Sequence, residues 1–408
     1  MWTTPSFLKF EGLDACIALL VDKNFIDALP FVFPNWQYNI YQSTDLKSFA
    51  SVIYVDEKYI IDSPFMEKQK RYRDPANALC SLIVELAWER LREDAKLLCL
   101  HGAAIEFAGK LVIFPSTRRA GKSTLTVALA ATGKKVFTDD FLPLSVAKDG
   151  HLLGVSSGIS PRLRLPVPEQ IGERAKQYIN SRGSVSNNQY KYVKPISEEL
   201  AKFGETAPVG SLVFLERSED IEPVIELVSK SEALASLIRQ NFSRAMNAAG
   251  ILKLLAFITD TSPAYRLKYD DVEDAIKLLE RQFQSWSMEE PLIGKDLNAS
   301  LFESVPDVEY EIGKIDVTEG QLMHAKGVTE IERDGKRFLT GRDGRSIHFL
   351  NEGAAIIWRL LVEPTSNDEA IEMLSALYPD HPVDAIRKDV VSTLNDFARN
   401  GMIQRTTI

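Results

Sequence analysis

The run Leu111 to Thr126, LVIFPSTRRAGKSTLT, constrains the fold more than any other stretch of the chain. Leu111, Val112, Ile113 and Phe114 form a short apolar segment suited to a buried parallel strand. A helix is expected to start near Gly121, to carry Leu125, Ala128 and Leu129 on one face, and to stop at Gly133. The first N–H groups of such a helix have no partner within it, and the macrodipole puts partial positive charge there. This is a place for a nucleotide's phosphates. The contacting residues are Ser116, Thr117, Arg118, Arg119, Ala120, Gly121, Lys122, Ser123 and Thr124, with Lys122 reaching the β- and γ-phosphates and the Ser123 hydroxyl ligating Mg²⁺.

The tripeptide Gly-Lys-Ser alone is a weak signal, because a Gly-Lys-[Ser/Thr] triplet arises by chance in roughly one chain in four of this length. The full pattern also has glycine five residues before Gly121, where this chain has Ser116. Context carries the reading. An apolar strand precedes the loop, an amphipathic helix follows it, and a second strand, Val136 to Thr138, ends in Asp139 and Asp140. Arg118 and Arg119 can supply charge near the loop, and Arg162 and Arg164 can clamp phosphate from across a cleft.

At 408 residues the chain should hold two or three domains. A hydrophobic content of 45% with 26% charged residues belongs to a soluble globular protein, and no apolar run approaches the roughly 18 residues of a membrane span. The expected setting is cytoplasmic, with no membrane partner. A net charge of −9 argues against a nucleic-acid partner. Cys16, Cys80 and Cys99 have neither the count nor the spacing of a disulfide framework or zinc site, and read as reduced spectators.

Residues 1–95 read as a mixed α/β region, with strands near Ala15 to Val21, Trp36 to Tyr41, Ser51 to Val55 and Tyr59 to Ile61, and a helix opened by Asp74 and Pro75. Residues 96–285 read as the phosphate-loop core. Leu97 to Phe107 reads as its strand partner, Pro161 to Pro166 as loop, Gly183 to Asn188 as a mobile segment, and Leu212 to Leu215 as a further strand. Residues 286–320 read as a linker. In residues 321–408, Asp334-Gly335 and Asp343-Gly344 predict two tight hairpins, and Asn351, the Ser366–Glu369 capping box and Pro382 start three helices. That set describes a winged-helix-like module. Its third helix carries Arg387, Lys388 and Arg399 against Asp384, Asp389 and Asp396, poor electrostatics for nucleic acid.

The order His101-Gly102, strand, Gly109, apolar strand, AGKST and Phe137-Thr138-Asp139-Asp140 is similar to the catalytic half of HPr serine kinase/phosphorylase and its relatives. The resemblance implies a P-loop kinase with ATP and Mg²⁺. Asp139, Asp140, His101 and Lys122 would be the catalytic residues, and Ser123, Asp139 and Asp140 the metal ligands. The family's glycine-rich downstream segment is missing, so phosphorolysis and the protein HPr as substrate are not carried over. The run Phe349 to Trp358, with Tyr378, Asp389-Val390, Leu394 and Gly401, resembles the PqqD family of peptide chaperones. That implies a bound precursor-peptide leader, added as a strand along Thr329 to Phe349.

The whole chain thus reads as α/β: an HPr-kinase-like P-loop core between an N-terminal α/β region and a C-terminal winged-helix-like PqqD domain. The expected function is phosphorylation of a Ser or Thr in a ribosomally made precursor peptide. A non-catalytic nucleotide-binding scaffold and a kinase of a free small molecule stay open, as do oligomeric state and which aspartate is base and which holds metal.

Overall fold

The computed structural model describes residues 6–42, 46–94, 97–115, 120–243, 246–286, 315–342 and 344–406. They fall into two compact units. One comprises Met1–Val228, Arg239–Ala245 and Thr261–Gly294, and the other Ser229–Ile238, Met246–Asp260 and Lys295–Ile408.

The larger unit begins with β1 (Ser6–Phe10), β2 (Cys16–Leu20), α1 (Lys23–Val32), β3 (Tyr38–Tyr41), β4 (Ser48–Val55), β5 (Lys58–Asp62), β6 (Lys70–Tyr72) and α2 (Pro75–Glu93). Its strands make one six-stranded sheet in the order β3-β1-β2-β4-β5-β6. The start of α2 follows from local chemistry, since the Asp74 side chain accepts the Asn77 N–H at 2.9 Å and Pro75 fills the first turn. Helix α1 is not among the expected elements. Pro30 lies inside it, yet Phe25, Ala28, Leu29 and Val32 are buried at helical spacing, and that burial outweighs the interrupted ladder.

The core continues with β7 (Leu98–His101), β8 (Ala103–Phe107), β9 (Lys110–Phe114), α3 (Lys122–Ala131), β10 (Val136–Thr138), β11 (Phe141–Val146), β12 (Leu152–Val155), β13 (Arg162–Arg164), α4 (Glu173–Ser181), β14 (Ser184–Ser186), β15 (Tyr190–Val193), β16 (Thr206–Arg217) and β17 (Val224–Leu227). Then come α5 (Lys230–Gln240), α6 (Ala248–Thr261), β18 (Ala264–Tyr269) and α7 (Val272–Gln282). A nine-stranded sheet runs β10-β8-β9-β16-β12-β11-β7, with β18 beside β16 and β17 beside β18. Leu97 to Phe107 therefore divides: β7 pairs with β11, whereas β8 pairs with β9 and β10. The 183–188 segment, expected to be mobile, is instead paired. Strand β14 lies antiparallel to β15, which also carries β13 out of the expected 161–166 loop.

The second unit holds most of α5 and α6 with β19 (Gln321–His324), β20 (Thr329–Arg333), β21 (Lys336–Thr340), β22 (Ile347–Phe349), α8 (Glu352–Leu360), β23 (Thr365–Ser366), α9 (Asn367–Leu377), α10 (Val383–Arg399) and β24 (Ile403–Arg405). The first hairpin, β20–β21, is tight as expected, with Arg333 opposite Lys336. The second is not, because Thr340 pairs with Ile347 and leaves a longer connection. Asp343 itself lies outside the described residues, as do residues 287–314 of the expected linker. Helix starts are where the sequence puts them. Asn351 accepts the Ala354 N–H at 2.8 Å, and Ser366 and Glu369 form the reciprocal capping box. Trp358, 1% exposed, stacks on His324 at 3.7 Å and meets Phe397 edge-on at 5.4 Å.

In the larger unit, the N-terminal sheet is fastened to the core by backbone contact. The Asn35 N–H donates to Gly158 O at 3.2 Å, the Phe203 N–H donates to Asn35 O at 2.8 Å, and Trp36 stacks on Phe203 at 4.4 Å. Gly158 has φ +65°, and a Cβ there would lie 2.6 Å from Asn35 O. Gly158→Ala meets both a left-handed backbone and a backbone clash, so it is expected to destabilise the protein by about 2–5 kcal/mol. A lower urea midpoint at unchanged m-value is the check.

Candidate active site

Strand β16 runs parallel to both β9 and β18, so the carboxyl ends of all three face the same way. Open α/β sheets take their ligands at such ends. Residues 116–119 lie outside the described residues, and the described part of the loop resumes at Ala120. Gly121, at φ +95°, is the N-cap of α3 and supplies no side-chain hydrogen bond to its first turn. That conformation suits glycine, and with no side-chain cap the first-turn amides of α3 lack a partner within the helix. Lys122 is 8% exposed at the head of the helix, with Ser123 and Thr124 half-buried behind it.

Asp139 follows β10 and is 8% exposed. Its Oδ2 accepts the Arg162 backbone N–H at 3.0 Å, while Oδ1 has no hydrogen-bond partner among the described residues. Burial pushes this carboxyl up to about 7. The Arg162 amide, the Ser123 hydroxyl and the Lys122 ammonium pull it down, while Asp140 adds to the rise. A buried carboxylate with one oxygen lacking a hydrogen-bond partner among the described residues, beside a helix-start hydroxyl, is a donor set that fits a hard divalent cation. Among the described residues no group of three or more His, Cys, Asp or Glu is arranged to hold a metal. With so few protein oxygens, most of a cation's shell here would have to come from other ligands.

Asp140 has a different environment. Its side chain is 47% exposed, and Oδ1 meets His101 Nε2 at 3.2 Å. His101 ends β7 opposite Phe141, and its Nδ1 meets Gln240 Oε1 at 3.0 Å. A charged imidazole donates from both nitrogens, to Asp140 and to that amide oxygen. A neutral ring keeping Nε2–H on Asp140 is matched when the amide presents its NH₂ to Nδ1. Gln240 therefore holds the ring in either protonation state. No local signal in the sequence could have found it, since it lies 139 residues from its partner.

Of the two cross-cleft arginines, Arg162 reaches Asp139 through its main chain. Its guanidinium contacts Cys80 Sγ and lies 4.7 Å from the centre of the Tyr190 ring. Arg164 is exposed and turned onto the same ring, with Nη2 3.3 Å from the tyrosine hydroxyl. Tyr192, 1% exposed, has a hydroxyl without a hydrogen-bond partner among the described residues, within the field of Arg162 and both aspartates. Burial raises its pKa.

Comparison with known proteins bears on both halves of the chain. The PqqD family, described as coenzyme PQQ synthesis protein D, matches residues 330–403, so the second unit contains a PqqD-type domain. No curated protein matches the chain. Among solved structures, the HPr(Ser) kinase/phosphatase from Coxiella burnetii is similar, at 10% identity over 46% of this chain and 99% of that one, with a TM-score of 0.23. A score that low says nothing about the site. No helix among the described residues is long and apolar enough to cross a membrane.

The raised pKa of Asp139 has a consequence for stability in the ligand-free protein. The unfolded carboxyl ionises near 3.8 and the folded one only near 7, so the folded state binds the extra proton in between. Its contribution to stability is complete below the lower value and is lost as pH rises through the upper one, about 4 kcal/mol in all. Asp139→Asn is therefore expected to gain stability relative to the parent as pH rises from about 4 to about 7, read from urea unfolding at several pH values.

Proposed function

We propose that this protein is an ATP-dependent kinase that phosphorylates a Ser or Thr hydroxyl of a ribosomally made precursor peptide, whose leader docks on the PqqD-type domain. The observation that carries the reading is the orphaned Oδ1 of buried Asp139 set against Lys122 and Ser123 at the start of α3. An ATP molecule is held by the α3 amides and Lys122, with its γ-phosphorus turned toward the paired aspartates. Ser123 and Asp139 would hold Mg²⁺, which would supply positive charge to offset that of the transferring phosphate. Asp140, more exposed, takes the proton of the acceptor hydroxyl as the hydroxyl oxygen attacks the γ-phosphorus in line, the bond from that phosphorus to the β–γ bridging oxygen breaks and ADP leaves, while His101, steadied by Gln240, spreads the charge.

The docking surface is the meander β20-β21-β22, in which β22 is an edge strand and Phe349 is 51% exposed. An extended leader adds to such an edge through main-chain hydrogen bonds and fills pockets with alternate side chains. Linking this domain to the core gives the acceptor a high effective concentration, so weak binding at the catalytic site suffices.

Incubation with ATP, Mg²⁺ and a candidate precursor peptide, read by mass spectrometry, should show one added phosphoryl group. Lys122→Ala should reduce the rate by about 100-fold or more. Asp139→Asn should raise the Mg²⁺ concentration needed for half-maximal rate, whereas Asp140→Asn should lower kcat with ATP affinity little changed. ATP bound but never transferred to any peptide would leave only a nucleotide-binding scaffold. Transfer confined to free amino acids, undiminished when residues 321–408 are deleted, would point to a small-molecule kinase.

A further inference from the structure

Arg217 and Tyr269 are register partners at the last residues of β16 and β18, on the edge of the sheet where α3 begins. A Cβ on Gly121 would lie 2.6 Å from Tyr269 Oη and 3.8 Å from Arg217 Cδ. Two strand ends far apart in sequence thus press side chains onto the one residue whose left-handed turn starts the helix. Tyr269 is 1% exposed. Burial pushes that hydroxyl up to about 12, with Arg217 pulling it down, so at neutral pH it is an intact O–H donor.

Arg217 is placed differently. Its side chain is 40% exposed, and the nearest carboxylate contact is Nη2 to Asp270 Oδ1 at 3.9 Å, too long for a hydrogen bond. A loosely held guanidinium beside a helix start is suited to an anion, and its fork matches phosphate oxygens. Asp270 also accepts the Asp220 backbone N–H, at 3.2 Å on its other oxygen.

We propose that Arg217 and Tyr269 form a second wall of the nucleotide site. Arg217 pairs with the phosphates of the bound nucleoside triphosphate, and Tyr269 is a positioning residue that sets the Gly121 turn and so the aim of the α3 amides. The proposal rests on the nucleotide reading of the site and adds to it two residues from outside the phosphate-loop run. It also explains why position 121 has no room for a side chain: a methyl group would displace the tyrosine that fixes the turn.

The test is titration of the full chain with a fluorescent ATP analogue, then competition by unlabelled ATP, ADP and AMP with Mg²⁺. Arg217→Ala should weaken ATP binding about tenfold or more, with a loss that shrinks from ATP to AMP, and Arg217→Lys should restore part of it. Tyr269→Phe keeps the ring and its packing and should weaken ATP binding about threefold to tenfold. Urea midpoints of all three variants should match the parent, which separates these effects from misfolding. A parent that binds ATP, with Arg217→Ala and Tyr269→Phe both within twofold of it, overturns the proposal and leaves the nucleotide reading standing. Equal losses for ATP and AMP in Arg217→Ala overturn the phosphate assignment. A parent that binds no nucleotide removes both together.

Discussion

A carboxyl group taken out of water with one oxygen unpartnered is costly, and the core of this protein is built around one. Asp139 lies buried next to the first turn of α3, with the Arg162 main-chain N–H on Oδ2, no hydrogen-bond partner among the described residues on Oδ1, and the Ser123 hydroxyl and Lys122 ammonium close by. Burial of an uncompensated charge costs several kcal/mol, and the group answers by holding its proton. Only a binding partner that completes its shell recovers that cost.

The sheet order delivers this juxtaposition. β8 lies between β9, which leads into α3, and β10, which leads into the paired aspartates. The chain then turns straight into β11, whose first residue, Phe141, pairs with His101. Alternation along an extended segment explains why adjacent aspartates end in unlike surroundings. One carboxyl goes inward to Lys122 and Ser123, the other outward to His101.

In the second unit, the PqqD-type domain does not pack alone. The Asp334 carboxylate, in the β20–β21 turn, accepts the Ser231 N–H at 2.8 Å near the start of α5. Asp260 at the end of α6 binds Lys230 at 3.0 Å and Arg333 at 3.1 Å. The Ala248 N–H donates to Gly344 O at 2.8 Å. Two helices from earlier in the chain are thus part of this unit's fold. An exposed hairpin turn becomes a helix cap, the kind of role Asp takes readily because its short carboxylate reaches backbone N–H groups.

What the chain determined by itself is local. An apolar run followed by Gly-Lys-Ser, the Asp74-Pro75 helix start, the Ser366–Glu369 capping box and the tight turn at Asp334-Gly335 each depend on atoms a few residues apart, so their geometry is implicit in residue type and spacing. The paired aspartates and His101 were visible for the same reason, as a strand end and a short motif. Everything that depended on distant partners came from the tertiary structure: helix α1 despite Pro30, the β13–β15–β14 sheet in place of a mobile loop, Gln240 on His101, and the unlike burial and partners of Asp139 and Asp140. Burial and long-range pairing decide these, because a side chain's desolvation and its partner across the sheet are set by where the rest of the chain has gone, which no local pattern encodes.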